Sequence, residues 1–298
     1  MTDAGSRHPG RLVLVATPIG NLGDLSPRAR EVLGAADLIC CEDTRRTRAL
    51  LSAMSIPAGG AHGDRLLSLH GHNEGARVER VLACVAGGGT VAVVSDAGTP
   101  GISDPGTLLV SRLSEAGEEV STVPGPTSVV GALVISGLPT DRFCVEGFLP
   151  RKGGERRERV AALMADGRTT VVLEAPGRLA ATLADLAAVD AVRQVAVVRE
   201  LTKVHEEVWR GTAGDAAAAF SARQVRGEIV VVVGGAPPAD PVSDEAIDEA
   251  VREWLRRGPG EGPRQIALVV SEELGVPRRK VYEAVLRLRS AEGGRPAP

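Results

Sequence analysis

Two stretches of this chain combine residue types that could hold a small molecule and act on it. The first is Ser95-Asp96-Ala97-Gly98-Thr99-Pro100-Gly101-Ile102-Ser103-Asp104-Pro105-Gly106, between an apolar run at 90–94 and an apolar helix-like segment at 107–116. A strand ending in such a turn lies where open α/β sheets bind ligands, outside the carboxyl ends of their strands. Glycine lets the backbone approach a ligand closely, so main-chain N–H and C=O groups can do the holding. An ordinary strand-to-helix connection has the same look. The second stretch is Arg199-Glu200-Leu201-Thr202-Lys203. Basic residues are overwhelmingly arginine, and lysine occurs only at Lys152, Lys203 and Lys280. Lysine, unlike arginine, can shed its proton and act as a base. It does so only where burial or a cationic neighbour lowers its pKa. Otherwise Lys203 is a cation suited to a phosphate.

Other chemistries lack their parts. No strand-end loop is a Walker loop, and no G-x-G-x-x-G follows the first strand, so neither a kinase's phosphate cradle nor a standard dinucleotide unit is present. No serine sits in a G-x-S-x-G elbow. The histidines His8, His62, His70, His72 and His205 do not pair at metal spacing. His70-Gly71-His72 comes nearest, but two loop residues at i and i+2 seldom suffice, so no metal is expected. Cys40, Cys41, Cys84 and Cys144 lack C-x-x-C spacing and read as reduced core residues. Formal charge is −3, so any RNA contact must use local patches. Aromatics make up 2% of the chain, which argues against base stacking on aromatic platforms. No apolar run is long enough to span a bilayer and no long apolar h-region opens the chain, so a soluble cytoplasmic protein is expected.

The elements that must position these loops follow an α/β pattern. A chain of 298 residues, 43% hydrophobic, can form two ordinary domains. A strand over 11–16 runs into Thr17-Pro18-Ile19-Gly20-Asn21-Leu22-Gly23-Asp24-Leu25. Ser26 then Pro27 marks a helix start, a hydroxyl cap followed by proline at the first helical position. A strand over 37–41 ends in Glu42-Asp43-Thr44-Arg45-Arg46, where Glu42 and Arg45 could pin a helix start as an ion pair. Val78, Val81, Leu82 and Val85 give helical spacing over 73–86. A strand over 119–123 ends in Pro124-Gly125-Pro126-Thr127-Ser128. The pattern restarts with strands over 143–148, 170–174 and 194–198 and helices over 155–165 and 179–187. This alternation predicts two α/β sheets, a domain at 1–148 and another at 149–237, with the joint near Leu149. In a doubly wound sheet the loops at Thr17, Glu42, Asp96, Pro124, Glu174 and Glu200 converge on one crevice.

Residues 238–298 read as a linker and a small helical module. A helix over 244–256 is acidic at its start and basic at its end, as the helix dipole prefers. Helices over 264–274 and 277–289 around Gly275 resemble a helix-turn-helix, with Arg278, Arg279, Lys280, Arg287 and Arg289 on the second. A plain helical hairpin fits equally. The module is expected to engage RNA and not to take part in chemistry.

Six blocks in order carry a family resemblance: Thr17 to Ser26, Glu42-Asp43-Thr44-Arg45, Ser95 to Gly106, Pro124-Gly125-Pro126, Gly137-Leu138-Pro139-Thr140 and Arg199 to Lys203. They resemble the ribosomal RNA small subunit methyltransferase I family, which has the tetrapyrrole-methylase fold. The match runs from about Leu12 to about Gly235, and the C-terminal hairpin is similar to that family's terminal module. The resemblance implies a two-domain fold with a donor-binding cleft between the domains. It also implies S-adenosylmethionine as methyl donor, the 2′-hydroxyl of a cytidine in the decoding region of 16S rRNA as acceptor, and a homodimer. On this resemblance Pro18, Asp96, Ala97, Gly98, Thr99 and Ile102 form the donor pocket, with Ser128 opposite and Ala175, Pro176 and Gly227 contributed by the second domain. Gly98 is expected to leave space that the donor fills. Asp43, Glu200 and Lys203 are candidates to draw off the hydroxyl proton, a task worth ~10²–10⁴-fold. For Lys203 the preferred reading is a contact to a phosphate.

Two rivals stand beside this. A tetrapyrrole methylase acting on carbon resembles G-x-G-x-G-D in its first loop, where this chain has Thr17-Pro18-Ile19-Gly20-Asn21. The basic segment from Arg142 to Arg159, with Arg151, Lys152, Arg156 and Arg157, favours phosphates only weakly, because arginine binds carboxylates equally well. The other rival is a non-catalytic RNA-binding assembly factor that has kept the fold.

Overall fold

A computed structural model describes residues 10–60, 63–71, 73–102, 104–238, 242–257 and 261–292. The chain forms two compact units, Met1–Ala236 and Pro237–Pro298.

The first unit begins with a sheet of five parallel strands: β1 (Arg11–Val15), β2 (Leu38–Cys41), β5 (Leu66–Ser68), β6 (Thr90–Val94) and β7 (Glu119–Val123). Their spatial order is β5-β2-β6-β1-β7. A short hairpin, β3 (Gly59–Gly60) and β4 (Gly63–Asp64), stands beside it. The central strands read as unbroken apolar runs because both sheet faces are covered. Helices α1 (Pro27–Ala35) and α2 (Thr44–Ala53) cover one face, where Leu33 and Leu51 meet Val13, Val15 and Ile39. Helices α3 (Glu74–Ala86) and α4 (Thr107–Glu115) cover the other, where Val81, Leu109 and Leu113 meet Leu12, Cys40 and Val93. Each such buried side chain contributes about 1.5–3 kcal/mol. Adjacent strands β1 and β6 lead to helices on opposite faces, so their exit loops part and leave a crevice between them.

Local signals explain several boundaries. Ser26 Oγ accepts the Ala29 N–H at 3.1 Å, with Pro27 as the first helical residue. The N-cap of α4 is Gly106, which has no side chain to cap the helix. The buried Glu74 carboxylate supplies the cap, accepting the N–H groups of Gly106 and Leu109, each at 3.1 Å.

The second sheet contains β8 (Phe143–Phe148), β9 (Thr169–Glu174), β10 (Gln194–Arg199), β11 (Glu207–Thr212) and β12 (Ile229–Val233). Its order is β11-β10-β12-β9-β8, and only β8 and β9 run parallel. Helices α6 (Gly154–Ala165), α7 (Leu179–Val189) and α8 (Ala213–Phe220) cover one face through Leu163, Leu183, Leu186 and Phe220. Helix α5 (Ser128–Ser136) covers the other, where Val129, Ala132 and Leu133 pack on Val171, Val198 and Val230.

The expected joint at Leu149 therefore moves upstream. Strand β8 pairs with β9, and α5 packs on β12, so the chain passes to the second sheet before Ser128. The Pro124-Gly125-Pro126 break makes that transition, because each proline lacks the backbone N–H that would continue the ladder of β7.

The second unit consists of α9 (Asp244–Arg257), α10 (Pro263–Leu274) and α11 (Arg278–Glu292) around Ile247, Val251, Ile266, Val270, Val281 and Val285. Gly275 ends α10 with φ 62°, the left-handed cap that glycine takes without penalty. Among the described residues no helix is long and apolar enough to cross a membrane.

Candidate functional site

Three loops at the carboxyl ends of the first sheet are stitched to the loop after β6. Thr17 and Gly98 exchange backbone hydrogen bonds of 2.8 and 3.1 Å, joining the β1 and β6 exits. Thr99 Oγ1 donates to the Pro126 carbonyl at 3.2 Å, joining the β7 exit. The Asp43 N–H donates to Asp96 Oδ1 at 3.1 Å, joining the β2 exit. Arg46 pairs with the same Asp96 at 3.3 Å.

Gly98 is needed for this stitching. It sits at φ 84°, and an added Cβ would lie 3.3 Å from Ile19 Cγ2 and 3.7 Å from the Pro126 carbonyl oxygen. The missing side chain points at neighbouring loops, so the expectation that Gly98 simply leaves room for the donor is corrected: it keeps the turn's conformation.

A cavity of about 240 Å³ opens between the two sheets. Ile19, Asp96, Ala97, Ile102 and Asp104 line it from the first sheet's loops, and Ser128, Leu173, Glu174, Val198, Leu201, Glu228 and Val230 line it from the start of α5 and from the second sheet. Four expected donor-pocket residues, Asp96, Ala97, Ile102 and Ser128, thus meet at one cavity. Pro18, Ala175, Pro176 and Gly227 lie within two residues of the lining residues Ile19, Glu174 and Glu228 along the chain, and do not line it themselves. Thr99 lines an adjoining cavity of about 540 Å³ with Ile102, Val130, Phe143 and Val145. Glu174 is buried and partnered by Thr182 Oγ1, by Arg178 at 3.1 Å and by the Ala175 N–H at 2.8 Å. It fixes the first turn of α7.

The expected base candidates separate into different environments. Asp43 is the N-cap of α2, accepting the Arg45 N–H at 2.8 Å. The Arg45 guanidinium and backbone N–H hold its carboxyl down at about 2. The ion pair at this helix start thus joins Arg45 to Asp43, not to Glu42, and a carboxylate held that low is a weak proton acceptor. Its neighbour Glu42 is the reverse case. Burial first, then the charges of Asp104 and Asp96 and a hydrogen bond that protonated Glu42 donates to Asp104, push it up to about 7. Asp104 is also raised, chiefly by burial. Two carboxyl groups bonded together in a half-buried place share a proton. Glu42 was visible in the sequence motif, but nothing local says which of two adjacent acids faces the interior.

Glu200 and Lys203 lie in the turn between β10 and β11. Lys203 Nζ bonds Glu200 Oε1 at 2.9 Å and pairs with Glu228 at 3.3 Å. Lys203, then the Glu228 N–H, lower the Glu200 carboxyl. For Lys203 the largest influence, desolvation, pulls its pKa down, yet Glu200 and Glu228 together outweigh it and the net shift is upward. An ammonium held this way is a poor base and a good anion contact.

Several expectations lie elsewhere. His8, His62, His72 and Ser103 lie outside the described residues. His70 Nε2 is hydrogen-bonded to Asn73 Nδ2 at 3.0 Å, and among the described residues no group of three His, Cys, Asp or Glu side chains could hold a metal. Of the basic segment before α6, Arg156 is buried against Asp185 and Thr182, and Arg159 pairs with Glu146. Arg151, Lys152 and Arg157 are exposed. In the second unit every expected RNA-facing base has a partner within that unit: Arg278 the Arg264 carbonyl, Arg279 Glu283, Lys280 Asp244, Arg287 Asp248 and Arg289 the Glu261 carbonyl. All four cysteines are free, Cys40 and Cys41 fully buried.

A family profile described as Tetrapyrrole (Corrin/Porphyrin) Methylases matches residues 11–217. The Synechocystis sp. protein called ribosomal RNA small subunit methyltransferase I is 44% identical over 282 residues, covering 94% of this chain and 99% of that one. Its Mycobacterium tuberculosis namesake is 46% identical over 290 residues, covering 97% and 99%. Among solved structures, the methyltransferase CobJ superposes with a TM-score of 0.57 at 20% identity, covering 78% of this chain and 97% of that one. At that identity the likeness is one of fold.

Proposed function

Since the chain belongs to the ribosomal RNA small subunit methyltransferase I family, within the tetrapyrrole methylases, we propose that it methylates the 2′-hydroxyl of a cytidine in the decoding region of 16S rRNA, using S-adenosylmethionine. The observation that carries this reading is the cavity between the sheets, with carboxylates on both walls and the Lys203 turn at Leu201 on its lining.

The lining suits the donor. Asp96, Asp104 and Glu228 offer negative charge to its sulfonium and amine, and Ile102, Leu173 and Leu201 offer apolar surface to its adenine. When bound, the donor supplies a methyl group already activated by the sulfonium. The protein's task is then to position and deprotonate the acceptor, and good positioning alone is worth ~7–11 kcal/mol. Asp96, Ala97, Ile102 and Ser128 hold the donor. Pro18, Gly98 and Thr99 keep the loops in register, and Ala175, Pro176 and Gly227 act from behind the second wall. Lys203, oriented by Glu200, binds a phosphate of the incoming RNA. The Glu42–Asp104 pair takes the hydroxyl proton, because its affinity for a proton lies near neutral pH, where general bases work best. Asp43 contributes by capping α2 and placing Asp96.

The acceptor is presented by the small ribosomal subunit, in the cytoplasm, and the protein acts as a homodimer. Val130, Val134, Phe143, Val145 and Phe148 are exposed on α5 and β8, an apolar surface that a second copy would cover. Ribose-methylation mapping of 16S rRNA from cells with and without the gene tests the function. Loss of one 2′-O-methylcytidine in the decoding region is expected; an unchanged map would overturn it.

A further inference from the structure

The turn between β10 and β11 holds two side-chain-bearing residues in the left-handed region, Glu200 at φ 51° and Thr202 at φ 67°. Among the described residues only Ser55 shares this. For a β-branched residue such as Thr202 the conformation is a genuine outlier, and it persists only when the surroundings over-determine it. They do so here. The Lys203 N–H donates to the Glu200 carbonyl at 3.0 Å, the Glu206 N–H to the Lys203 carbonyl at 3.1 Å, and the Thr202 N–H to the Glu206 carboxylate at 2.6 Å.

Thr202 carries a second cost. Its Oγ1 is buried with no hydrogen-bond partner. Glycine or asparagine would take this backbone conformation with less strain. Stability therefore does not account for the residue's geometry. Its consequence is where it sends the chain. Leu201 lines the cavity and presses on α5, so closely that a Cβ at Gly131 would lie 2.7 Å from Leu201 Cδ2. One residue past Thr202, the Lys203 stem lies on the first sheet's β1 loop, where a Cβ at Gly20 would come within 2.3 Å of Lys203 Cγ. The left-handed step at 202 thus ties both walls of the cavity together through the side chains on either side of it, Leu201 and Lys203.

We infer that Thr202 is a positioning residue for methyl transfer: its strained backbone locks Lys203 at the cavity rim, where the acceptor must enter. The role rests on the activity proposed above. Two variants of the full-length protein separate the lock from mere structure. Thr202→Gly frees the backbone torsion. Thr202→Asn holds the left-handed conformation, which asparagine tolerates. Methyl transfer from labelled S-adenosylmethionine to 30S subunits is followed beside the unaltered protein, with donor affinity by calorimetry. In Thr202→Gly, kcat/KM for the subunit falls by ~10-fold or more with donor affinity unchanged. Thr202→Asn recovers most of that loss and melts higher by ~2–4 °C, because strain is relieved. An unchanged rate in Thr202→Gly overturns the inference, as does an equal loss in Thr202→Asn. If the unaltered protein itself transfers no methyl to 30S subunits, the proposed function fails and this role fails with it.

Discussion

Gly227 and Glu200 are packed so tightly that a single methyl group cannot come between them. A Cβ at Gly227 would lie 2.3 Å from Glu200 Cδ, and Gly227 sits at φ 91°. The glycine's part in the site is therefore to admit the Glu200 carboxylate, which accepts the Glu228 N–H at 2.9 Å and holds Lys203. Gly227→Ala combines backbone strain with a clash and should cost about 2–4 kcal/mol. Urea unfolding measures this directly; a loss under ~0.5 kcal/mol would show that the carboxylate has another place to go.

Lys203 is held as an ammonium by Glu200 and Glu228. A phosphate role predicts that Lys203→Arg keeps the single-turnover rate and loses a little subunit affinity. Lys203→Ala should lose more affinity and lower the slope of log affinity against log salt by about one. If Lys203→Arg binds normally but its rate collapses, the lysine is a base, since arginine cannot release a proton in a protein.

Glu42 gives a pH signature. It titrates near 4.5 when exposed and is pushed up to about 7 in the fold, mainly by burial and then by Asp104 and Asp96. Below 4.5 both states hold the proton. Between 4.5 and about 7 only the folded state holds it, so this group's contribution to stability declines as pH rises through that window and is constant above it. Glu42→Gln removes the decline. Discounted for partial exposure, the variant should gain on the order of 1–2 kcal/mol relative to the unaltered protein between pH 5 and pH 8. The methyl-transfer rate of the unaltered protein should rise to a plateau near pH 7, and Glu42→Gln should lack the rise. Parallel pH–rate curves for the two proteins would exclude the Glu42–Asp104 pair as proton acceptor.

The second unit holds ten Lys and Arg against eleven Asp and Glu over 237–298. With its bases already partnered, it offers little net field to RNA. Removing residues 237–298 should leave donor affinity intact and weaken subunit binding by less than ~10-fold, with little change in salt slope. Calorimetry showing an equal loss of donor binding would make the unit part of the donor site.

Much of the fold was legible in the sequence. The Ser26-Pro27 start, the apolar run of β6 and the helical spacing of Val78, Val81 and Val85 are local signals, and the structure follows them closely. The three-residue strand β5 and the alanine-rich α8 were not legible, because neither has enough periodicity to stand out. Sheet membership was misjudged for β8 and α5, since pairing partners distant in sequence leave no local mark. At the site, the loops were found but half the wall was not. Leu173, Val198 and Val230 belong to strands whose apolar residues look like ordinary core. Spacing does not distinguish Asp43 from Glu42, because it does not reveal which of the two is buried.

The partition of strands between the sheets sets an order of events during synthesis. Every strand of the first sheet lies within 11–123 and every strand of the second within 143–233. As the chain leaves the exit tunnel, the first sheet has all its strands before any strand of the second exists, and lobes of this kind fold as units from the N-terminus. The cavity draws walls from both, the last of them from β12. A nascent chain halted after the first sheet has emerged but before Val230 therefore carries a finished parallel sheet with exit loops in place and half a pocket, and acquires the complete cavity only once its final strand has been made.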